Sequence, residues 1–371
     1  MTVFNTKRDN NDSRHLTAKL FMDDGGGVDI ARYDQLKYPE IDALTQKMLG
    51  YFWRPEEVDI TTDRPDFSKL PEHAQFIFTS NLKRQILLDS VQGRSPSLSF
   101  LRLVSNPELE TAIETWSFFE TIHSRSYTHI IKNVYSNPTE VFDTLTSVPE
   151  IISCAEDISK YYDDLIDAIN VWDTLGSKGI RPYTLKKKLW LCLNSVNVLE
   201  GIRFYVSFAC SWAFAESKKM EGNAKIIKLI ARDENLHLSL TQRLIKTWLP
   251  KDDPDYEKIS QELQPECIKI FEKAIKQEIE WARYLFKDGS ILGLNEQLLE
   301  DYVLYIGSQR MKAIGLPVDF DAPKKDPLPW TRNWIASKGT QVAPQETEIS
   351  SYIVGGINND LNDDAFGGFT L

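Results

Sequence analysis

The sequence predicts an all-α fold, a large helical bundle, and three observations predict it. Apolar residues recur at helical spacing through most of residues 38–314, and strand-like alternation is scarce. One segment, 189–215, is apolar on nearly every side, as the central helix of a bundle must be.

In chain order, residues 1–30 are polar and end in Gly25-Gly26-Gly27, which reads as a flexible N-terminal arm. A helical domain over 31–340 follows, with helices predicted at 38–52, 71–91, 107–135, 139–174, 185–217, 223–248, 265–287 and 295–314. No internal repeat at solenoid spacing occurs. Within 189–215, Asn194, Asn197, Glu200 and Arg203 interrupt the apolar run, which argues against a membrane span because charges at mid-span are costly in lipid. Residues 341–371 form an acidic, glycine-rich tail, with Gly355-Gly356, Asn358-Asn359-Asp360 and Gly367-Gly368, too polar to fold alone. Phe366, Phe369 and Leu371 close it, apolar anchors suited to a partner's groove.

With 42% hydrophobic residues in 371, the chain can fill one large core. A formal net charge of -11 argues against nucleic acid as a partner, since phosphate binding needs a basic surface. The polar first residues lack the apolar stretch of a signal peptide, so a soluble, cytoplasmic protein is expected. Cys154, Cys192, Cys210 and Cys267 are far apart and form no C-x-x-C pair, which fits reduced core thiols.

Of the 5 histidines, two stand in Glu-x-x-His pairs inside helical patterns, Glu120 with His123 and Glu234 with His237. Residues three apart share a helix face, so each pair can present a carboxylate and an imidazole to one ion. A di-iron carboxylate bundle is built in this way: two helices each give Glu-x-x-His, and two others each give one carboxylate. Glu200, on the apolar segment, supplies one of the single carboxylates; Asp89, near the end of the 71–91 helix, supplies the other. Two dications would balance four carboxylates and offset most of the cost of burying them. Oxygen ligands with only two imidazoles favour iron or manganese over structural zinc. Tyr127 lies one turn beyond His123, which places a phenol beside the metals.

Several stretches then match a known family: Phe52-Trp53-Arg54-Pro55-Glu56-Glu57, Leu87-Leu88-Asp89-Ser90-Val91-Gln92-Gly93-Arg94, the run from Glu120 through His123 and Tyr127 to His129, Ile202 to Phe208, Ala231-Arg232-Asp233-Glu234, and Val342-Ala343-Pro344-Gln345-Glu346. From about residue 31 to the end, the sequence closely resembles the small, radical-generating subunit of class I ribonucleotide reductase, of the enterobacterial and T-even phage type. The resemblance implies a ferritin-like fold with additional helices. It implies two iron ions per subunit, with manganese the less favoured metal. One would be held by Asp89, Glu120 and His123, the other by Glu200, Glu234 and His237. Dioxygen reacting at the reduced pair would oxidise Tyr127 to a stable radical inside an apolar wall of Phe204, Phe208 and Ile230.

The resemblance also implies an exit route, from Tyr127 through Trp53, supported by Asp233 and His123, to Tyr352, with Glu346 nearby in the tail. The large subunit would receive the radical and reduce ribonucleoside diphosphates, and the small subunit would be a homodimer. Two positions depart from the expected pattern: Phe119 where a small hydroxyl residue is usual, and Gly201 where alanine is usual. Glycine within a helix costs about 1 kcal/mol relative to alanine, which suggests backbone freedom for Glu200 to change its binding mode. The competing readings are another di-metal oxidase or oxygenase, and a metal-binding bundle without catalytic output.

Overall fold

The structure, a computed structural model, describes residues 14–23, 28 and 30–335. Helices dominate, and pairing among the described residues is limited to isolated bridges between Phe21 and Val104 and between Ile291 and Leu294. The longer helices are α1 (Pro39–Gly50), α2 (Glu72–Gln92), α3 (Pro107–Val134), α4 (Pro149–Leu175), α5 (Pro182–Val198), α6 (Tyr205–Glu216), α7 (Glu221–Arg243), α8 (Gln264–Phe286) and α9 (Glu296–Ala313).

Local chemistry sets their ends. Asn106 accepts a hydrogen bond from the Leu109 amide at 3.0 Å, and Pro107, which has no N–H to leave unpaired, opens α3. Asn295 caps α9 in the same way through the Leu298 amide at 2.9 Å. Gly176, at φ +56°, stops α4 in a conformation that other residues resist. The 139–174 helix is in fact two, Pro138–Asp143 and α4, because Val148 before Pro149 is pushed to extended backbone at ψ 111°. The 185–217 helix is also divided, by a π-helical turn at Leu199–Arg203. A second π-helical turn, Leu244–Trp248, widens the end of the 223–248 helix. Short helices at Asp63–Lys69 and Asp255–Glu262 had no long apolar period to announce them.

The central architecture is a ring. α2 packs on α3, α3 on α7, α7 on α6, and α6 back on α2. Around it, α1 lies on α3, α4 on α2 and α5, and α8 joins α5 to α9. All of α6 from Tyr205 to Ala215 is buried, as expected of the 189–215 segment, and no described helix is long and apolar enough to cross a membrane. The four cysteines are buried and unpaired. Part of the stretch read as a flexible arm is packed: Leu20 and Phe21 are buried, and the Leu20 amide donates to Asp252 at 2.6 Å.

α7 is anchored from outside the ring. Buried Asp63 accepts from the Gly222 and Asn223 amides at 3.1 and 2.6 Å, which supplies acceptors to the helix's free N-terminal donors. Gly222 permits this approach, since a Cβ there would meet the Ile60 Cα at 2.7 Å. Elsewhere the core holds an ion pair, Arg84 with Glu278, both almost fully buried, with the Arg84 guanidinium 4.7 Å from the Trp281 ring centre. Burial pushes Glu278 up to about 7 despite Arg84.

That pair generates a stability prediction. Arg84→Met strands a buried carboxylate and should cost about 3–5 kcal/mol in urea unfolding. The double variant Arg84→Met, Glu278→Leu should recover most of the loss. A double variant as unstable as the single one would mean that Arg84 acts through packing alone.

Candidate metal centre

Each wall of the ring contributes to one polar volume. Asp89 comes from α2, Glu120 and His123 from α3, Glu200 from the π-helical turn ahead of α6, and Glu234 and His237 from α7, all buried. Asp89, Glu120, His123 and Glu234 each place one donor atom within 4.8 Å of the others, and so do Glu120, Glu200, Glu234 and His237. The six residues expected from sequence are therefore together. Each group contains one of the expected triples, and Glu120 and Glu234 belong to both groups.

The donors fit metal ions. Asp89 Oδ1 and Oδ2, Glu120 Oε2, Glu200 Oε2, Glu234 Oε1 and His123 Nδ1 are all buried without a hydrogen-bond partner, a costly state for so many polar atoms in one place. Both imidazoles turn Nδ1 inward: His123 Nδ1 is 3.1 Å from Glu234 and 3.3 Å from Glu120, and His237 Nδ1 is 2.9 Å from Glu234 and 3.2 Å from Glu120. Without cations the charges are badly mismatched. Burial, reinforced by Glu120 and Glu234, pushes Asp89 well above its usual range, and burial with Glu234 does the same to Glu200. For Glu234 burial is outweighed by the neighbouring Glu200 carboxyl and by His123, which hold it low. His237 is disfavoured as a cation by burial, yet Glu120 and Glu234 raise it to about 9. Two dications would take over the role of those protons.

A second layer orients the donors. His123 Nε2 lies 3.3 Å from Asp233, and a proton held there would leave Nδ1, which faces the site, free to bind an ion. Trp53, completely buried, donates from Nε1 to the same Asp233 oxygen at 2.8 Å. Arg232 closes on the other oxygen from Nε and Nη2 at 3.0 and 2.9 Å. Trp116 Nε1 donates to Glu120 at 2.8 Å, Gln92 Nε2 donates to Glu200 at 2.7 Å, and the Tyr162 hydroxyl donates to Gln92 at 2.9 Å. Sequence reasoning missed Trp116, Gln92 and Tyr162. Trp116 stands four before Glu120, and Gln92 three after Asp89, so helical spacing alone pointed to both. Tyr162 comes from α4 and gave no local signal.

Tyr127 is completely buried, with Asp89 as the polar neighbour of its hydroxyl. Burial first, then the charge of Asp89, pushes its phenol well above the ordinary range, so it stays protonated. Phe204, Phe208 and Ile230 are completely buried in the same core cluster, with the two phenylalanine rings stacked at 5.7 Å. Phe119 is buried edge-on to Phe118, which stacks on Phe52. Glu346 and Tyr352, with the rest of 341–371, lie outside the described residues.

Comparison with known proteins agrees with this geometry. The ribonucleoside-diphosphate reductase subunit beta of Haemophilus influenzae is 52% identical over 374 residues, covering 97% of this chain and 98% of its own. That of Enterobacteria phage T4 is 44% identical, covering 98% of this chain and 97% of its own. Among solved structures, the ribonucleotide reductase R2 subunit from Clostridium botulinum superposes with a TM-score of 0.76 at 25% identity, over 90% of this chain and 98% of that one. The ring of inward-facing carboxylates is accordingly that of a ferritin-like di-metal bundle. Residues 31–327 match the family described as "Ribonucleotide reductase, small chain", and the chain belongs to that family.

Proposed function

We propose that this small subunit of ribonucleoside-diphosphate reductase stores an oxidising equivalent as a radical on Tyr127 and passes it outward through Trp53. The observation that carries the reading is a completely buried phenol beside a carboxylate cluster fit for two metal ions. When bound, the metal pair would supply the oxidising power, drawn from dioxygen, that removes one electron from Tyr127. The pair is read as iron, and the oxygen-rich donor set accommodates manganese as well.

The chain's own residues do the rest. Asp89, whose charge reaches Tyr127, is the group placed to take the phenolic proton. Phe204, Phe208 and Ile230 keep water and reductants from the radical. For the exit, Asp233 joins two of the proposed participants, since one of its oxygens accepts from both Trp53 and His123. A proton can shift along those bonds as an electron crosses. Tyr352 and Glu346 would carry the equivalent onward in the 341–371 tail, whose terminal Phe366, Phe369 and Leu371 would dock on the large subunit, with two small subunits forming a homodimer. The separate roles of 31–340 as the helical body and 341–371 as the tail belong to this same reading, with Leu20 and Phe21 of the 1–30 segment packed on the body.

Three measurements test it. Adding ferrous iron and oxygen to the metal-free protein should give a tyrosyl signal in electron paramagnetic resonance that Tyr127→Phe abolishes; a signal surviving in the variant would move the radical elsewhere. Trp53→Phe should keep that signal but lose nucleotide reduction with the large subunit, and retained turnover would remove Trp53 from the route. Because Glu234 belongs to both donor groups and Glu200 to one, Glu234→Ala should lose both ions by elemental analysis, and Glu200→Ala one. Equal losses would contradict the sharing.

A further inference from the structure

The Leu199–Arg203 turn that carries Glu200 is met from outside the ring by α9, and close contacts surround both Gly201 in the turn, against α7 and α9, and Gly307 in α9, against α8. A Cβ on Gly201 would lie 3.0 Å from Leu238 Cδ1 and 3.3 Å from Arg310 Cγ. A Cβ on Gly307, in α9, would lie 2.5 Å from Ile275 Cδ1. Neither position accepts a side chain without movement of its neighbours. Gly201 is thus explained by close approach, with no positive φ involved.

Across this narrow contact Arg310 reaches the turn. Its Nε donates to the Gly201 carbonyl at 3.2 Å, and its Nη2 donates to the Tyr205 hydroxyl at 3.0 Å. The guanidinium also lies over the Tyr205 ring, 5.3 Å from the centre. A π-helical turn widens the backbone ladder, and main-chain carbonyls displaced from it need other donors. Among the described residues Arg310 has no carboxylate partner; its hydrogen bonds go to the residue after Glu200 and to the first residue of α6.

We propose that Arg310 is a positioning residue for Glu200: by holding the Gly201 carbonyl and the Tyr205 hydroxyl, it fixes the wide turn in the shape that presents the Glu200 carboxylate to the metal centre. Gly201 leaves the room Arg310 needs, since a Cβ there would meet the Arg310 Cγ at 3.3 Å. The inference rests on Glu200 being a ligand, as read above.

The test is anaerobic titration of the metal-free full chain with manganese(II) in a calorimeter, alongside the thermal midpoint of each metal-free variant. The parent should bind two ions. Arg310→Met should weaken one of them about 10–100-fold, as loss of a ligand-orienting group does. The other ion and the metal-free midpoint should stay as in the parent. Arg310→Lys, which keeps one donor for the Gly201 carbonyl, should recover part of the loss. Adding Arg310→Met to Glu200→Ala should change nothing further, since both act on the same ion. Parental binding of both ions in Arg310→Met, or equal weakening of both with a lower midpoint, would reduce Arg310 to packing. If Glu200→Ala itself binds two ions like the parent, the ligand reading of Glu200 fails first and the inference falls with it.

Discussion

Four carboxylates share one dry volume at the centre of this chain, and the rest of the structure depends on how that charge is tolerated. Taking one carboxylate from water into a medium like a protein interior costs on the order of 20 kcal/mol in the idealised limit and still several after relaxation. Asp89, Glu120, Glu200 and Glu234 are held together by a ring of helices that exposes none of them, so the fold cannot relieve the strain by opening to solvent. Protons relieve it in part, as the raised Asp89 and Glu200 carboxyls show, and bound cations would relieve it with the carboxylates ionised. A metal-binding ring therefore has to be rigid, and rigidity here comes from outside the ring, through the Asp63 cap on α7 and the α8 and α9 helices braced against the Glu200 turn.

The second layer follows from the same constraint. A ligand that must face an ion with one atom needs its other polar atoms occupied, or it will turn. Glu120 has Trp116, Glu200 has Gln92 and through it Tyr162, and His123 has Asp233. Asp233 is itself buried next to Arg232, which donates to one of its oxygens from both Nε and Nη2, at the centre of a cationic and aromatic shell.

Much of this was legible in the sequence, and the reasons are physical. Helical periodicity found the long helices because each buries one face, and paired Glu-x-x-His survives as a signal because metal chemistry requires both groups on that face. The sharing of Glu120 and Glu234 was not legible, since spacing places a residue on a face but says nothing of how two helices cross. The break at Pro149 was readable from the pre-proline rule; the π-helical turn was not, because Leu199 to Arg203 carry no composition that distinguishes a wide turn from an ordinary one. Gly201 stood out as a glycine inside a helix, but the side chains packed against it, Leu238 of α7 and Arg310 of α9, are distant in sequence, and one-dimensional reading has no access to that packing.

The placement of Trp53 completes the argument. Its indole and the His123 imidazole end on the same carboxylate oxygen, so the group that fixes a ligand's tautomer is also the first group on the proposed route outward. Any change in the proton balance of Asp233 is felt on both sides at once. In the proposed reading this couples the release of the stored equivalent to the state of the metal centre without a moving part between them. It also explains why an indole is buried there: a solvent-exposed tryptophan could pass an electron, but water would then answer for its N–H, and the carboxylate would lose the bond that ties exit to store.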